Sequence, residues 1–251
     1  MKKLMAANWK MYKLHSEAKD TAEALVKALK GAAPEDREVL IIPPFTALRS
    51  VRKAIKKVPG FALGGQNFFP SMQGAYTGEI APDMLVDMGC SYALAGHSER
   101  RHIMGESDEF VGKKVAFGLE RGLSMILCVG ETIDERKEGK LAEVVRRQML
   151  EGLAGVPADV VPERLTVAYE PVWAIGTGLT AGPREVLDAH ALVRSILQEK
   201  FGQKAFEMRI QYGGSVKPEN ASEILSLDNV DGVLVGGSSL SADSFSKIVT
   251  A

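Results

Sequence analysis

Glu170 closes an apolar run, Leu165 to Tyr169, and is followed at once by Pro171-Val172-Trp173-Ala174-Ile175-Gly176-Thr177-Gly178. A carboxylate at the end of such a run, with a glycine-bearing apolar loop beside it, points to a general base under a lid. Free in water a carboxylate is a poor base, but exclusion of water disfavours the charged form and strengthens proton abstraction near neutral pH. Trp173 and Ile175 supply apolar bulk for that exclusion, while Pro171 stiffens the first hinge and Gly176 and Gly178 free the tip. An ordinary strand-to-helix loop has the same composition, so the reading depends on what else reaches the same place.

Several other segments carry polar groups of the right kind. Gly213-Gly214-Ser215 and Gly236-Gly237-Ser238-Ser239 each put a glycine pair before a small polar residue. Such pairs open backbone N–H groups to an anion, with the Ser215 hydroxyl as a further donor, although glycines also end strands for purely steric reasons. In Asn8-Trp9-Lys10 the lysine is a compact positive charge that could attract a phosphate or a developing oxyanion, or a surface lysine in a first loop. His97 follows an apolar run and a glycine. It is a partly buried imidazole, either a packed residue or a catalyst. Glu99, Arg100 and Arg101 form a dense charge cluster in which at least one member needs an internal partner, and Glu99 is a candidate for orienting the site. His97, Glu99 and His102 lie close in sequence but lack helical His-x-x-x-His spacing and a third histidine or cysteine, so no metal site is expected. A Schiff-base aldolase would want a desolvated lysine near mid-strand, whereas Lys10 lies beyond the end of its run. Cys128, inside an apolar run, reads as a packing residue.

Positioning these groups requires a scaffold. Eight short apolar runs recur along the chain: Leu4 to Ala7, Val39 to Ile42, Phe61 to Gly64, Tyr92 to Ala95, Met125 to Val129, Leu165 to Tyr169, Met208 to Tyr212 and Val230 to Val235. Helix-like stretches follow them, among them Ser16 to Lys30, Ala47 to Lys57, Pro82 to Met88, Glu106 to Arg121, Asp134 to Leu153, Pro183 to Lys200 and Pro218 to Leu225. No linker or charge block interrupts the alternation. The spacing predicts an α/β fold, a (β/α)₈ barrel over residues 1–251 as a single domain, with chemistry at the C-terminal ends of its strands. A doubly wound open sheet is the alternative, but it would want a glycine fingerprint after the first strand, where Asn8-Trp9-Lys10 stands instead. Gln66-Asn67 opens a long loop through Gly74-Ala75-Tyr76-Thr77-Gly78-Glu79, whose aromatic tip suits subunit contact or a simple surface loop.

Composition excludes several classes of function. With 251 residues and 45% hydrophobic content the chain can bury a large core. Thirty-one basic against thirty-two acidic residues leave a net charge of −1, so no footprint for nucleic acid or an anionic membrane is present. Cys90 and Cys128 are far apart and lack Cys-x-x-Cys spacing, which favours a reducing, cytoplasmic compartment. The apolar part of the first eight residues is too short for a secretion signal, and no run approaches the roughly 20 residues of a membrane span. A soluble protein is expected.

Asn8-Trp9-Lys10, GHSERR at 96–101, Cys128-Val129-Gly130-Glu131, AYEPVWAIGTG at 168–178, Tyr212-Gly213-Gly214-Ser215-Val216 and Val235-Gly236-Gly237 occur together, in order. This set resembles the triosephosphate isomerase family over essentially the whole length. The resemblance implies an aldose–ketose isomerase of glycolysis and gluconeogenesis that interconverts glyceraldehyde 3-phosphate and dihydroxyacetone phosphate through an enediolate, without metal or organic cofactor. It implies Glu170 as the base, His97 as a neutral electrophile, and Asn8 and Lys10 in contact with the substrate, with Lys10 stabilising negative charge. Phosphate would be held by the N–H groups of Gly176, Ser215, Gly236 and Gly237, and Glu99 would have a supporting role. A cytoplasmic homodimer is implied too, with the Gln66 to Glu79 loop as an arm that brings Thr77 near the partner's active site. Leu179 stands where many members carry lysine and Gly182 where the lid usually ends in threonine or serine. Closure is therefore expected to be slightly less favourable.

Overall fold

The computed structural model describes residues 1–175 and 179–251. Each apolar run forms a strand: β1 (Lys3–Asn8), β2 (Arg37–Ile42), β3 (Phe61–Gly65), β4 (Tyr92–Ala95), β5 (Ser124–Val129), β6 (Leu165–Tyr169), β7 (Arg209–Tyr212) and β8 (Gly232–Val235). All pairings are parallel between sequence neighbours, and β1 also pairs with β8, Leu4 opposite Gly232 and Ala7 opposite Val235. The sheet is thus a closed barrel, and the open-sheet alternative is set aside.

Around it lie α1 (His15–Leu29), α2 (Leu48–Ile55), α3 (Pro82–Asp87), α4 (Ser98–His102), α5 (Asp108–Glu120), α6 (Ile133–Lys137), α7 (Leu141–Gly152), α8 (Pro183–Phe201), α9 (Pro218–Ser226) and α10 (Ala242–Val249). Local chemistry starts and stops them. Ser107 Oγ accepts the Phe110 N–H to cap α5, and Thr132 with Glu135 forms a capping box at α6. The predicted helix Asp134 to Leu153 is two helices, because Gly139 turns the chain at φ 71° between α6 and α7. The stretch from Ala47 is likewise a 3₁₀ turn, Phe45–Ala47, leading into α2.

Period-two alternation separates two apolar cores. Leu4, Ala6, Leu40, Ile42, Ile126 and Ala168 point into the barrel, whereas Met5, Ala7, Val39, Ile41, Leu127 and Val167 face the helices. Burial on both faces is why the runs contain so few polar residues. The floor of the lumen, at the N-terminal ends of the strands, is closed by polar groups. Arg209 donates to Glu38 Oε2 at 2.8 Å, and Tyr92 donates its hydroxyl to Glu38 Oε1 at 3.0 Å. Burial pushes the Tyr92 phenol up to about 12, so it remains a donor.

His190, on α8, is fully buried behind the edge of the Tyr169 ring. Its Nδ1 lies 2.8 Å from Asn229 O and therefore carries the ring proton, while Nε2 has no partner among the described residues. Burial, opposed by that hydrogen bond, lowers its pKa to about 4. The unfolded chain then takes up a proton below about pH 6.5 that the folded chain refuses, so stability is full above that pH and falls as pH drops toward 4. Between about pH 7 and 4.5 the loss from this one group is roughly 2–3 kcal/mol. Denaturant titrations at both pH values should show that His190→Gln, which cannot titrate, has a shallower loss than the parent by about that amount.

Candidate active site

Polar residues at the C-terminal ends of five strands, β1, β4, β6, β7 and β8, meet over the lumen. The cavity there has a volume of about 310 Å³ and is lined by Asn8, Lys10, His97, Glu170, Ser215, Gly236 and Gly237, together with Tyr12, Ile175, Gly213 and Ser238. That is the low end of small-molecule pockets. Asn8, Lys10, His97, Glu170, Ser215, Gly236 and Gly237, expected from sequence to form a site, thus line one cavity; Glu99 stands beside it, and Gly176 lies outside the described residues.

Glu170 is the first residue past β6, and its main chain continues the ladder. Its N–H donates to Val129 O at 2.7 Å, and the Gly213 N–H donates to Tyr169 O at 2.7 Å. The side chain then enters a space kept open by glycine, since a Cβ on Gly213 would lie 2.9 Å from Glu170 Cγ. The carboxylate is 2% exposed at the residue level and has two partners: Oε2 accepts the Ser98 N–H at 2.9 Å, and Oε1 lies 3.0 Å from His97 Nε2.

The placement of His97 depends on α4, which the charged run 98–101 concealed in the sequence. His97 is the N-cap of that helix, and its Nδ1 accepts the Glu99 N–H at 3.3 Å. The ring proton is thereby assigned to Nε2, so the imidazole is neutral and presents an N–H donor toward the cavity. Glu99 Oε2 stands 3.5 Å from Nδ1, too far for a hydrogen bond, and Glu99 Oε1 instead accepts Lys10 Nζ at 2.7 Å. Within the charge cluster, Arg101 is the internal member. It donates to Gly96 O at 2.7 Å and Cys128 O at 3.1 Å and pairs with Asp108, fixing α4 against β4 and β5.

Lys10 follows β1 with a left-handed backbone, φ 48°. The conformation is held by neighbours: Asn8 Oδ1 accepts the Lys10 N–H at 3.0 Å, and Gln66 Nε2 donates to Lys10 O at 2.8 Å. Asn8, 4% exposed, is thus both a wall of the cavity and a brace for Lys10. On the opposite side, Gly237 opens a 3₁₀ turn, Gly237–Leu240, whose first N–H groups lack preceding carbonyl partners by construction, a favourable place for an anion.

Three features were not read from sequence. Glu131, fully buried, accepts the Tyr169 hydroxyl at 3.1 Å and Trp173 Nε1 at 2.8 Å, tying the segment just after β6 to β5. Burial raises its carboxyl pKa, opposed by those donors. Cys128 points into the lumen, not into the outer core; burial and then the Glu170 charge push its thiol well up, so it stays protonated. Gly182 is the N-cap of α8 with an ordinary extended backbone, φ −73° and ψ 167°, and no side-chain cap. Relative to serine or threonine, glycine at an N-cap costs only a few tenths of a kcal/mol.

Among the described residues no group of three His, Cys, Asp or Glu is arranged to hold a metal ion, and no helix is long and apolar enough to cross a membrane. The family model described as Triosephosphate isomerase matches residues 3–251. The chain belongs to the triosephosphate isomerase family. Its similarity to family members runs end to end. It is 60% identical over 251 residues to a Triosephosphate isomerase of Nitratidesulfovibrio vulgaris (strain DSM 19637 / Miyazaki F), covering 100% of both chains. A Triosephosphate isomerase of Oleidesulfovibrio alaskensis (strain ATCC BAA-1058 / DSM 17464 / G20) is also 60% identical with 100% of both covered. One from Roseiflexus sp. (strain RS-1) is 48% identical over 247 residues, 98% of this chain and 96% of that one.

Proposed function

We propose that Glu170, His97 and Lys10 carry out proton transfer on a triose phosphate held in the barrel mouth. The chain catalyses the reversible isomerisation of D-glyceraldehyde 3-phosphate and dihydroxyacetone phosphate, an intramolecular oxidoreduction. The observation that supports this division of labour most is the convergence of a buried carboxylate, a neutral imidazole N–H and an ammonium on one cavity ringed by glycine strand ends.

Glu170 takes the proton from the carbon beside the carbonyl, and the electron pair moves onto the carbonyl oxygen to give an enediolate. His97 Nε2–H donates to the oxygen that gains charge, and Lys10 supplies a positive field beside it. The family's reference mechanism gives its glutamate and neutral histidine the same roles. The hydroxyl beside the reacting carbon then gives up its proton as the oxygen that gained charge takes one, and the proton on Glu170 is delivered to the carbon that bore the carbonyl, so no cofactor is required. Before this, the His97 and Ser98 bonds that hold the Glu170 carboxylate must be exchanged for substrate, which makes the observed arrangement a resting one. Ser215, Gly236 and Gly237, with Gly176, bind the phosphate, and Asn8 orients substrate while Glu99 holds Lys10. Binding energy from the phosphate then serves to hold the segment after Glu170 closed and to exclude water.

We further read residues 1–251 as one barrel domain that works as a cytoplasmic homodimer. Two buried, unpaired cysteines suit a reducing compartment. Tyr76 and Met72 in the long loop after β3 are exposed apolar groups suited to subunit contact. A coupled assay with glyceraldehyde 3-phosphate is expected to show turnover without added metal or cofactor, and light scattering at micromolar concentration a particle of twice the chain mass. No turnover would overturn the catalytic reading, and a monomer would overturn the loop assignment.

A further inference from the structure

Gln148, on α7, is 2% exposed and directs both ends of its amide at one residue. Its Oε1 accepts the Gly130 N–H at 2.7 Å, and its Nε2 donates to Gly130 O at 3.2 Å. The reason lies in the topology. β4 ends at Ala95, so the edge of β5 that it paired has no strand beyond that point. Arg101 takes Cys128 O on this edge, and the Gln148 amide, one step further along, stands in for the next residue of the missing strand.

The other side of this short segment carries Glu170. The Glu170 N–H bonds Val129 O at 2.7 Å, and the Val172 N–H bonds Glu131 O at 3.1 Å, so the main chain around Glu170 is registered on residues 129–131. Gly130 sits between those two bonds and in direct contact: a Cβ there would lie 1.8 Å from Glu170 O and 2.6 Å from its carbonyl carbon. Any shift of Gly130 is therefore passed to the Glu170 backbone with no intervening gap. We propose that Gln148 is a positioning residue for proton transfer, acting through Gly130 to set where Glu170 stands. It is not among the residues that line the cavity.

This inference rests on Glu170 being the base. Gln148→Met keeps length and apolar volume while removing both hydrogen bonds. With glyceraldehyde 3-phosphate, kcat is expected to fall about 10–100-fold, the scale of an ångström-sized misplacement, with KM changed by less than about twofold because Ser215, Gly236 and Gly237, proposed to bind the phosphate, follow β7 and β8. The decisive arm repeats the substitution in a Glu170→Asp background. There the carboxylate is already withdrawn by one methylene, so the further loss should be much smaller than in the parent. If Gln148→Met does not fold, Gln148→Leu also removes both hydrogen bonds and carries the same expectations. Parental kcat in a folded variant, or an equal fold-loss in both backgrounds, overturns the proposal. Failure of the underlying reading is separately visible, because Glu170→Gln would then turn over at the parental rate whatever Gln148 does.

Discussion

Glu170→Gln lowers kcat by about 10²–10⁴-fold, the range expected when a positioned base is removed, and leaves KM nearly unchanged. The substitution conserves shape, and an amide oxygen still accepts the Ser98 N–H that now bonds Oε2 at 2.9 Å. The other end of the amide is less well matched. If its oxygen takes Ser98, its NH₂ faces the His97 Nε2–H, 3.0 Å from the present carboxylate oxygen, and two donors meet. A stability loss of about 1 kcal/mol follows, measurable by denaturant titration and far too small to account for the kinetic effect. The phosphate groups on β7 and β8 are untouched, which is why KM should hold. A coupled assay on the folded variant checks both halves of this expectation.

Lys10→Met has the second large effect, of a different form. On the proposed mechanism the ammonium supplies charge both to substrate binding and to the oxygen that gains charge, so its loss should raise KM and lower kcat together. A fall of about 10²–10³-fold in kcat/KM is expected, comparable to removing one oxyanion donor. The fold should tolerate the change. Glu99, the present partner at 2.7 Å, has a side chain 43% exposed and can be solvated by water once unpaired. Lys10→Arg restores the charge but spreads it over a planar fork, so only partial recovery is expected. Steady-state kinetics over a range of substrate concentrations separates the two components.

The barrel could be read from sequence because parallel strands buried on both faces appear as unbroken apolar runs, and Leu165–Tyr169 is apolar at all but Thr166 for that reason. Candidate site residues were readable where a polar group interrupts at the end of such a run, as at Asn8, His97 and Glu170, which line one cavity. What stayed hidden depends on contacts between distant segments. Nothing near Gln148 in sequence announces Gly130, 18 residues away, as its partner. Glu131 closes a recognisable motif, but its bonds to Tyr169 and Trp173 exist only because β5 and β6 are neighbours. The helix α4 is one turn of charged residues without apolar periodicity, so its role in setting the His97 tautomer emerges only from the backbone. Cys128 is the converse: its residue type fits packing, and only the alternation of β5 shows that it faces the lumen beneath Glu170.

The central claim is that a carboxylate removes a proton from carbon and an enediolate returns it. Following the parent protein by NMR as it converts dihydroxyacetone phosphate in D₂O tests this most directly, because a proton held on Glu170 can exchange with solvent whereas a hydride passed between carbons cannot. The account expects deuterium in a measurable fraction of the product, at the carbon that receives the proton, and exchange slowed in Glu170→Gln by the same factor as kcat. Product formed with its hydrogen transferred intact, or exchange in Glu170→Gln as fast as in the parent, would contradict it.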